Sequence, residues 1–124
     1  MKTVTILGKE YPIEYTVEAQ SKFAEKGGGL KKIAETLSMY PSFALSVMME
    51  AAYHRKKVLA KMDGVECDIA EPLSESDIDA VLMPHEMVGI TKTMMDVMSE
   101  AYKADVETAP EKKTGKKTKA TLSE

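Results

Sequence analysis

Tryptophan is absent from this 124-residue chain, cysteine occurs once, and aromatic residues make up only 6% of it. The lone Cys67 excludes an intramolecular disulfide, and with His54 and His85 far apart no Cys/His spacing resembles a zinc site. A reducing compartment suits such a composition. Long apolar runs are missing too. The longest apolar-rich stretch, Phe43 to Tyr53, is broken by Ser46 and Glu50 and falls short of the roughly 20 residues a bilayer span needs. Met1 leads at once into an alternating stretch, without a basic n-region and apolar h-region, which predicts no secretory signal and a cytoplasmic protein.

Catalytic and cofactor signatures are equally sparse. Gly27-Gly28-Gly29 with Leu30-Lys31-Lys32 follows a helical rather than a strand pattern, and no phosphate-loop or dinucleotide fingerprint is present. Asp63, Glu66, Asp68 and Glu71 lack EF-hand spacing and read as an acidic solvated loop. Cys67 has no basic neighbour within two positions to lower its pKa. No serine elbow or triad signature occurs. The expectation is a protein without catalytic residues, cofactor or metal.

What is present is an ordinary globular mixture, 44% hydrophobic and 30% charged. Residues 1–107 hold 12 Lys/Arg against 18 Asp/Glu, a net −6, whereas residues 108–124 hold 5 Lys against Glu111 and Glu124, a net +3. The expected organisation is one domain over 1–107 and a flexible Lys-rich tail over 108–124. So small a domain buries a modest share of its surface, which makes a partner or a homo-oligomer a reasonable expectation.

Thr3 to Leu7 alternates, Gly8-Lys9 suits a two-residue turn, and Tyr11 to Tyr15 resumes extended chain, which predicts a hairpin over 3–15 with Val4, Ile6, Tyr11, Ile13 and Tyr15 as its apolar set. Pro12 lacks a ladder donor and marks an edge. Thr16 caps a helix over 17–26 that the three glycines stop. Leu30, Ile33, Ala34 and Leu37 predict a second helix over 30–39, ended by Pro41. Ser42 caps a third over 43–62, apolar nearly all round at first and then polar from His54-Arg55-Lys56-Lys57, so that its far half should reach toward solvent. Asp63 to Pro72 is a loop, briefly extended near Val65 to Ile69. Ser74 caps a short helix over 75–82, and Pro84 opens a last one over 84–106. The fold class is therefore α+β, mostly α: a hairpin packed on a bundle of four to five helices.

Ten methionines stand out. Met83, Met87, Ile90, Met94 and Met98 line one side of the last helix, and Phe43, Val47 and Met48 open the apolar third helix. Methionine adapts its shape, so these residues are candidates for capturing an apolar helix of another protein as well as for core packing. The 3.6 period identifies a buried side and leaves open which of the two it serves. The basic cluster His54 to Lys57 and the tail lysines raise a nucleic-acid reading, but the body is net acidic and no aromatics interleave the lysines for stacking, so solvated charge is the better account.

The order Ile6-Leu7-Gly8-Lys9-Glu10-Tyr11-Pro12, then a Thr16-started helix ending Ala24-Glu25-Lys26-Gly27-Gly28-Gly29-Leu30, resembles the small tail assembly chaperones of long-tailed phages and prophages over residues 1–37. That resemblance implies a non-enzymatic protein that binds the long helical tape measure protein before the tail tube polymerises and is absent from the mature virion. It also implies a longer frameshifted form able to recruit tail tube protein. Lys112, Lys113, Gly115, Lys116 and Lys117 are residues a slippery codon run would encode. The rival expectations are a small nucleic-acid-associated regulator and a structural tail completion or connector subunit.

Overall fold

Two short strands open the chain in a computed structural model that describes residues 2–108, with side chains as far as Tyr102. Strand β1 (Lys2–Ile6) pairs antiparallel with β2 (Lys9–Ile13), Ile6 opposite Lys9. The turn is thus Leu7-Gly8, one residue earlier than the glycine-lysine pair suggests. Both turn residues have positive φ, 51° and 80°, as a tight primed hairpin turn demands. This register puts Val4, Ile6, Tyr11 and Ile13 on one buried face, where a slip of one residue would turn all four outward. Tyr15 sits half-buried at the edge of the same core. Pro12 faces Thr3 in a sheet of only two strands, so both are edges and its missing N–H costs little.

The hairpin cannot stand alone, and β2 runs on into a direct bond with the helical body: the Glu14 N–H donates to the Met48 carbonyl at 3.2 Å. Helix α1 (Val17–Gly27) starts at Thr16, whose hydroxyl accepts from the Ala19 N–H, and ends where Gly28 and Gly29 both donate to the Ala24 carbonyl. The expected single helix over 30–39 is split. A 3₁₀ turn over Leu30–Lys32 precedes α2 (Ile33–Met39). No side chain caps the exit from Gly29, and the tighter three-residue turn rotates Leu30 off the face that buries Ile33, Thr36 and Leu37.

Helix α3 (Pro41–Asp63) begins two residues before the expected Phe43. Pro41 does not end α2 so much as start α3, because its fixed φ suits the first helical turn. Ser42 consequently lies inside the helix rather than at its cap, and its hydroxyl bonds the Asp79 carboxylate instead. The following loop returns along α3. Ser46 Oγ donates to the Leu73 carbonyl at 2.8 Å and Lys57 Nζ to the Cys67 carbonyl at 3.2 Å, while Val65 to Ile69 forms no strand. Helix α4 (Glu75–Val81) is capped as its sequence predicts, the Asp77 N–H donating to Ser74 Oγ, and α5 (Pro84–Thr108) follows after two residues.

One apolar cluster joins the hairpin face to all five helices, with Phe23, Leu37, Leu45, Met48, Ile78 and Met94 fully buried. Each such side chain contributes on the order of 1.5–3 kcal/mol relative to exposure, which offsets the entropy of ordering short elements that could not persist singly.

Candidate functional site

The residues singled out from the sequence divide once the helices are placed. Val47, Met48, Ile90 and Met94 are in the core; Phe43, Met87 and Met98 are half-buried against it; Met83 is exposed. Phe43 is wedged beside Phe23, ring centroids 6.2 Å apart. The stripe Met87, Ile90, Met94, Val97 is therefore the face by which α5 holds its own molecule together. The frameshift candidates Lys112, Lys113, Gly115, Lys116 and Lys117 lie outside the described residues.

Helix α5 carries a second apolar stripe, displaced by one residue from the first. Val88, Thr91, Met95, Met98 and Tyr102 recur at spacings of three and four, the repeat of a helix-to-helix seam. Three of them face solvent: Val88 is 72% exposed, Met95 41% and Tyr102 44%. The periodic signal was in the sequence all along, merged with its neighbour, and only Met98 of this outer seam was among the sequence candidates.

The C-terminal half of α3 presents a different surface. Met48, Ala52, Arg55, Leu59 and Met62 follow one another at spacings of four and three along a single face. Its first two members are buried, whereas Leu59 and Met62 are exposed, because α3 is longer than the elements stacked on it. At the step where the cover ends, a groove of about 360 Å³ has an apolar floor of Val17, Ala51, Val58 and Leu59. Polar pairs flank it: His54 Nδ1 lies 3.0 Å from Glu18 Oε1 and Arg55 donates to Glu14 at 2.9 Å. The basic cluster read from the sequence is thus half engaged by carboxylates of the same chain.

A more polar cleft, about 620 Å³, opens between the hairpin, α3 and α5, lined among others by Lys2, Glu14, Arg55, Lys56 and Glu100. Lys2 and Glu100 approach to 3.9 Å across it. Glu14 Oε2 is buried there without a hydrogen-bond partner. Beside the cleft, Tyr102 anchors the far part of α5, its hydroxyl 2.8 Å from Gln20 Nε2 and 3.3 Å from the Tyr15 hydroxyl. Burial pushes the Tyr15 phenol well above its ordinary pKa, and the bond and charge of Tyr102 add to the shift.

Among the described residues no cluster of His, Cys, Asp and Glu has the makings of a metal site, and no helix is long and apolar enough to cross a membrane. His85 is exposed on the first turn of α5 and Cys67 half-buried in the loop, on separate elements. What the described surface offers chemically is apolar helix faces with charged margins, suited to another helix. Comparison with known proteins returns no matching family model, no matching curated protein and no matching solved structure.

Proposed function

We propose that this chain is a phage or prophage tail assembly chaperone that binds a tape measure protein during tail morphogenesis, without catalysis of its own. The observation that carries the reading is the outer seam of α5. Its heptad spacing is what an amphipathic helix of a long helical client requires, and its central Met95 can adjust to imperfect repeats. The arrangement of hairpin, Thr16-capped helix and glycine stop over residues 1–37 supports the same family.

The mechanism is reversible helix capture. Client side chains lose water against Val88, Met95 and Tyr102, at roughly 25 cal/mol per Å² of apolar surface buried. Each contact is weak, and many copies along one client sum through multivalency. Such a chaperone acts in the host cytoplasm and leaves before the virion is complete. A longer product made by slippage between Lys112 and Lys117, which would bring tail tube protein to the client, belongs to the same proposal. Pairing of His54 and Arg55 with Glu18 and Glu14 weighs against the nucleic-acid reading.

Co-expression with a candidate tape measure protein tests the reading. The expected result is a soluble complex that Val88→Glu with Met95→Glu abolishes while the circular dichroism spectrum stays unchanged. No complex with that protein, or abundant peptides of residues 1–107 in purified virions, would refute it.

A further inference from the structure

The two edges of the hairpin are not alike. Leu7-Gly8 makes a two-residue turn, so the Lys9 N–H bonds the Ile6 carbonyl, and bonded and non-bonded pairs alternate from there. Ile6 with Lys9, Val4 with Tyr11 and Lys2 with Ile13 are then the bonded pairs, whereas Thr5 with Glu10 and Thr3 with Pro12 turn their backbone groups outward. On β2 the outer edge is spoiled: Pro12 has no N–H to offer, and just beyond it the Glu14 N–H is taken by Met48 of α3. On β1 the edge is whole. Thr3 and Thr5 present two N–H and two carbonyl groups there, and among the described residues no backbone bond reaches them from another element. Lys2 shares the face of Val4 and Ile6, and its approach to Glu100 puts α5 beneath that face rather than beside the strand. Nor does β1 carry a proline, a bulge or a central lysine, the devices that ordinarily keep an edge unpaired.

We propose that β1 takes an extended segment of a different protein as a third, antiparallel strand. The outward groups of Thr3 and Thr5 recur about 7 Å apart, a repeat that an extended chain matches and that a helix, its backbone groups already bonded to one another, cannot. The added segment lies about 4.8 Å from β1. Every second side chain of it continues the face of Val4 and Ile6 over α5 and is therefore apolar. The others stand opposite the exposed Thr3 and Thr5, where threonine pairs well across strands. The net −6 of residues 1–107 favours neutral or basic residues at those outer positions, and it disfavours a second copy of this chain as the source of the strand. This edge is separate from the outer seam of α5, and the inference does not rest on the chaperone reading.

Amide NMR of the isotope-labelled full chain, free and titrated with the acetylated, amidated hexapeptide Lys-Val-Thr-Val-Lys-Val, is the test. In the free chain the Thr3 and Thr5 amides should exchange with solvent far faster than those of Val4 and Ile6, which are bonded across to β2. The peptide should shift the Thr3 and Thr5 amides saturably and slow their exchange at least about tenfold. Thr5→Pro gives β1 the defect that Pro12 gives β2, and should weaken binding at least about tenfold with the circular dichroism spectrum unchanged. Two modified peptides test the pairing without altering the protein. N-methylation at the Lys and Thr positions, which lie opposite Thr3 and Thr5, abolishes binding, whereas N-methylation at the valines, whose N–H groups point away, leaves it. Should Thr5→Pro lose its fold, these two peptides decide alone. Slow exchange of Thr3 and Thr5 in the free chain would mean that the edge is already covered, by the segment 109–124 or, where protection grows with protein concentration, by a second copy, and overturns the proposal. A peptide that leaves these amides unmoved, or binding that survives Thr5→Pro or methylation at the Lys and Thr positions, overturns it equally.

Discussion

Replacing Gly27 by alanine brings two opposed effects into one position, and the structure decides between them. Gly27 is the last residue of α1, and a helical Gly→Ala change ordinarily stabilises by about 0.5–1 kcal/mol through chain entropy. A Cβ built there, however, overlaps Thr36 Oγ1 outright and stands 3.2 Å from Thr36 Cβ and 3.5 Å from the Lys32 carbonyl oxygen. Thr36 has no room to retreat. It is 1% exposed, and its hydroxyl donates to that same Lys32 carbonyl at 2.9 Å. Either the hydroxyl swings away and remains buried without a partner, costing about 1–3 kcal/mol, or α1 and α2 separate at a similar cost for overpacking. Net of the entropy gain, Gly27→Ala should destabilise by about 0.5–2 kcal/mol. At roughly 4 °C per kcal/mol for a domain of this size, the thermal midpoint drops by about 2–8 °C. Thermal and urea unfolding followed by circular dichroism measures it. The companion variant Thr36→Ala removes the obstructing oxygen, so Gly27→Ala made in that background should cost little, and the double-mutant cycle should return a coupling of at least about 1 kcal/mol. A midpoint that stays level or rises in Gly27→Ala alone would refute the close approach of the two helices.

Leu7 holds φ 51° with its side chain 77% exposed, so Leu7→Asn should raise stability by about 0.5–1 kcal/mol in urea unfolding, since asparagine tolerates that backbone and little packing is lost. Met94→Ala empties a fully buried site between α5 and the body and should cost about 2–5 kcal/mol by the same assay. Tyr15 gives a pH dependence. Its folded pKa lies above that of the unfolded phenol, near 10, so its contribution is complete below about pH 10 and declines as pH rises beyond it. Unfolding midpoints measured between pH 8 and 11 should therefore fall at the alkaline end, and Tyr15→Phe should flatten that fall.

Local signals read correctly wherever the physics is local. The Thr16 and Ser74 caps, the glycine stop after α1 and the Pro84 start of α5 depend on hydrogen bonds and backbone limits within a few residues, and the structure has each of them where the pattern puts it. The one-residue error in the hairpin has a related cause. Gly8 announces a turn, but whether its partner is Leu7 or Lys9 depends on which register buries Val4, Ile6, Tyr11 and Ile13, and that is settled by the helices beneath them. Ser42 illustrates the same limit, since a serine before an apolar run suits a cap until Pro41 begins the helix and Asp79 arrives from α4 to take the hydroxyl.

The helices, the hairpin and their apolar periodicities are written in residue order, because each follows from side chains a few positions apart. Which stripe of α5 is core and which is surface is not. Met87, Ile90 and Met94 differ from Val88, Thr91 and Met95 by a single position, and a rotation of 100° about the helix axis would exchange their roles. The contacts of α5 with α2, α3 and β1 set that rotation, and they join residues dozens of positions apart. The same holds for α3, whose continuous apolar face becomes core as far as Ala52 and surface beyond it only because the elements packed on it end there.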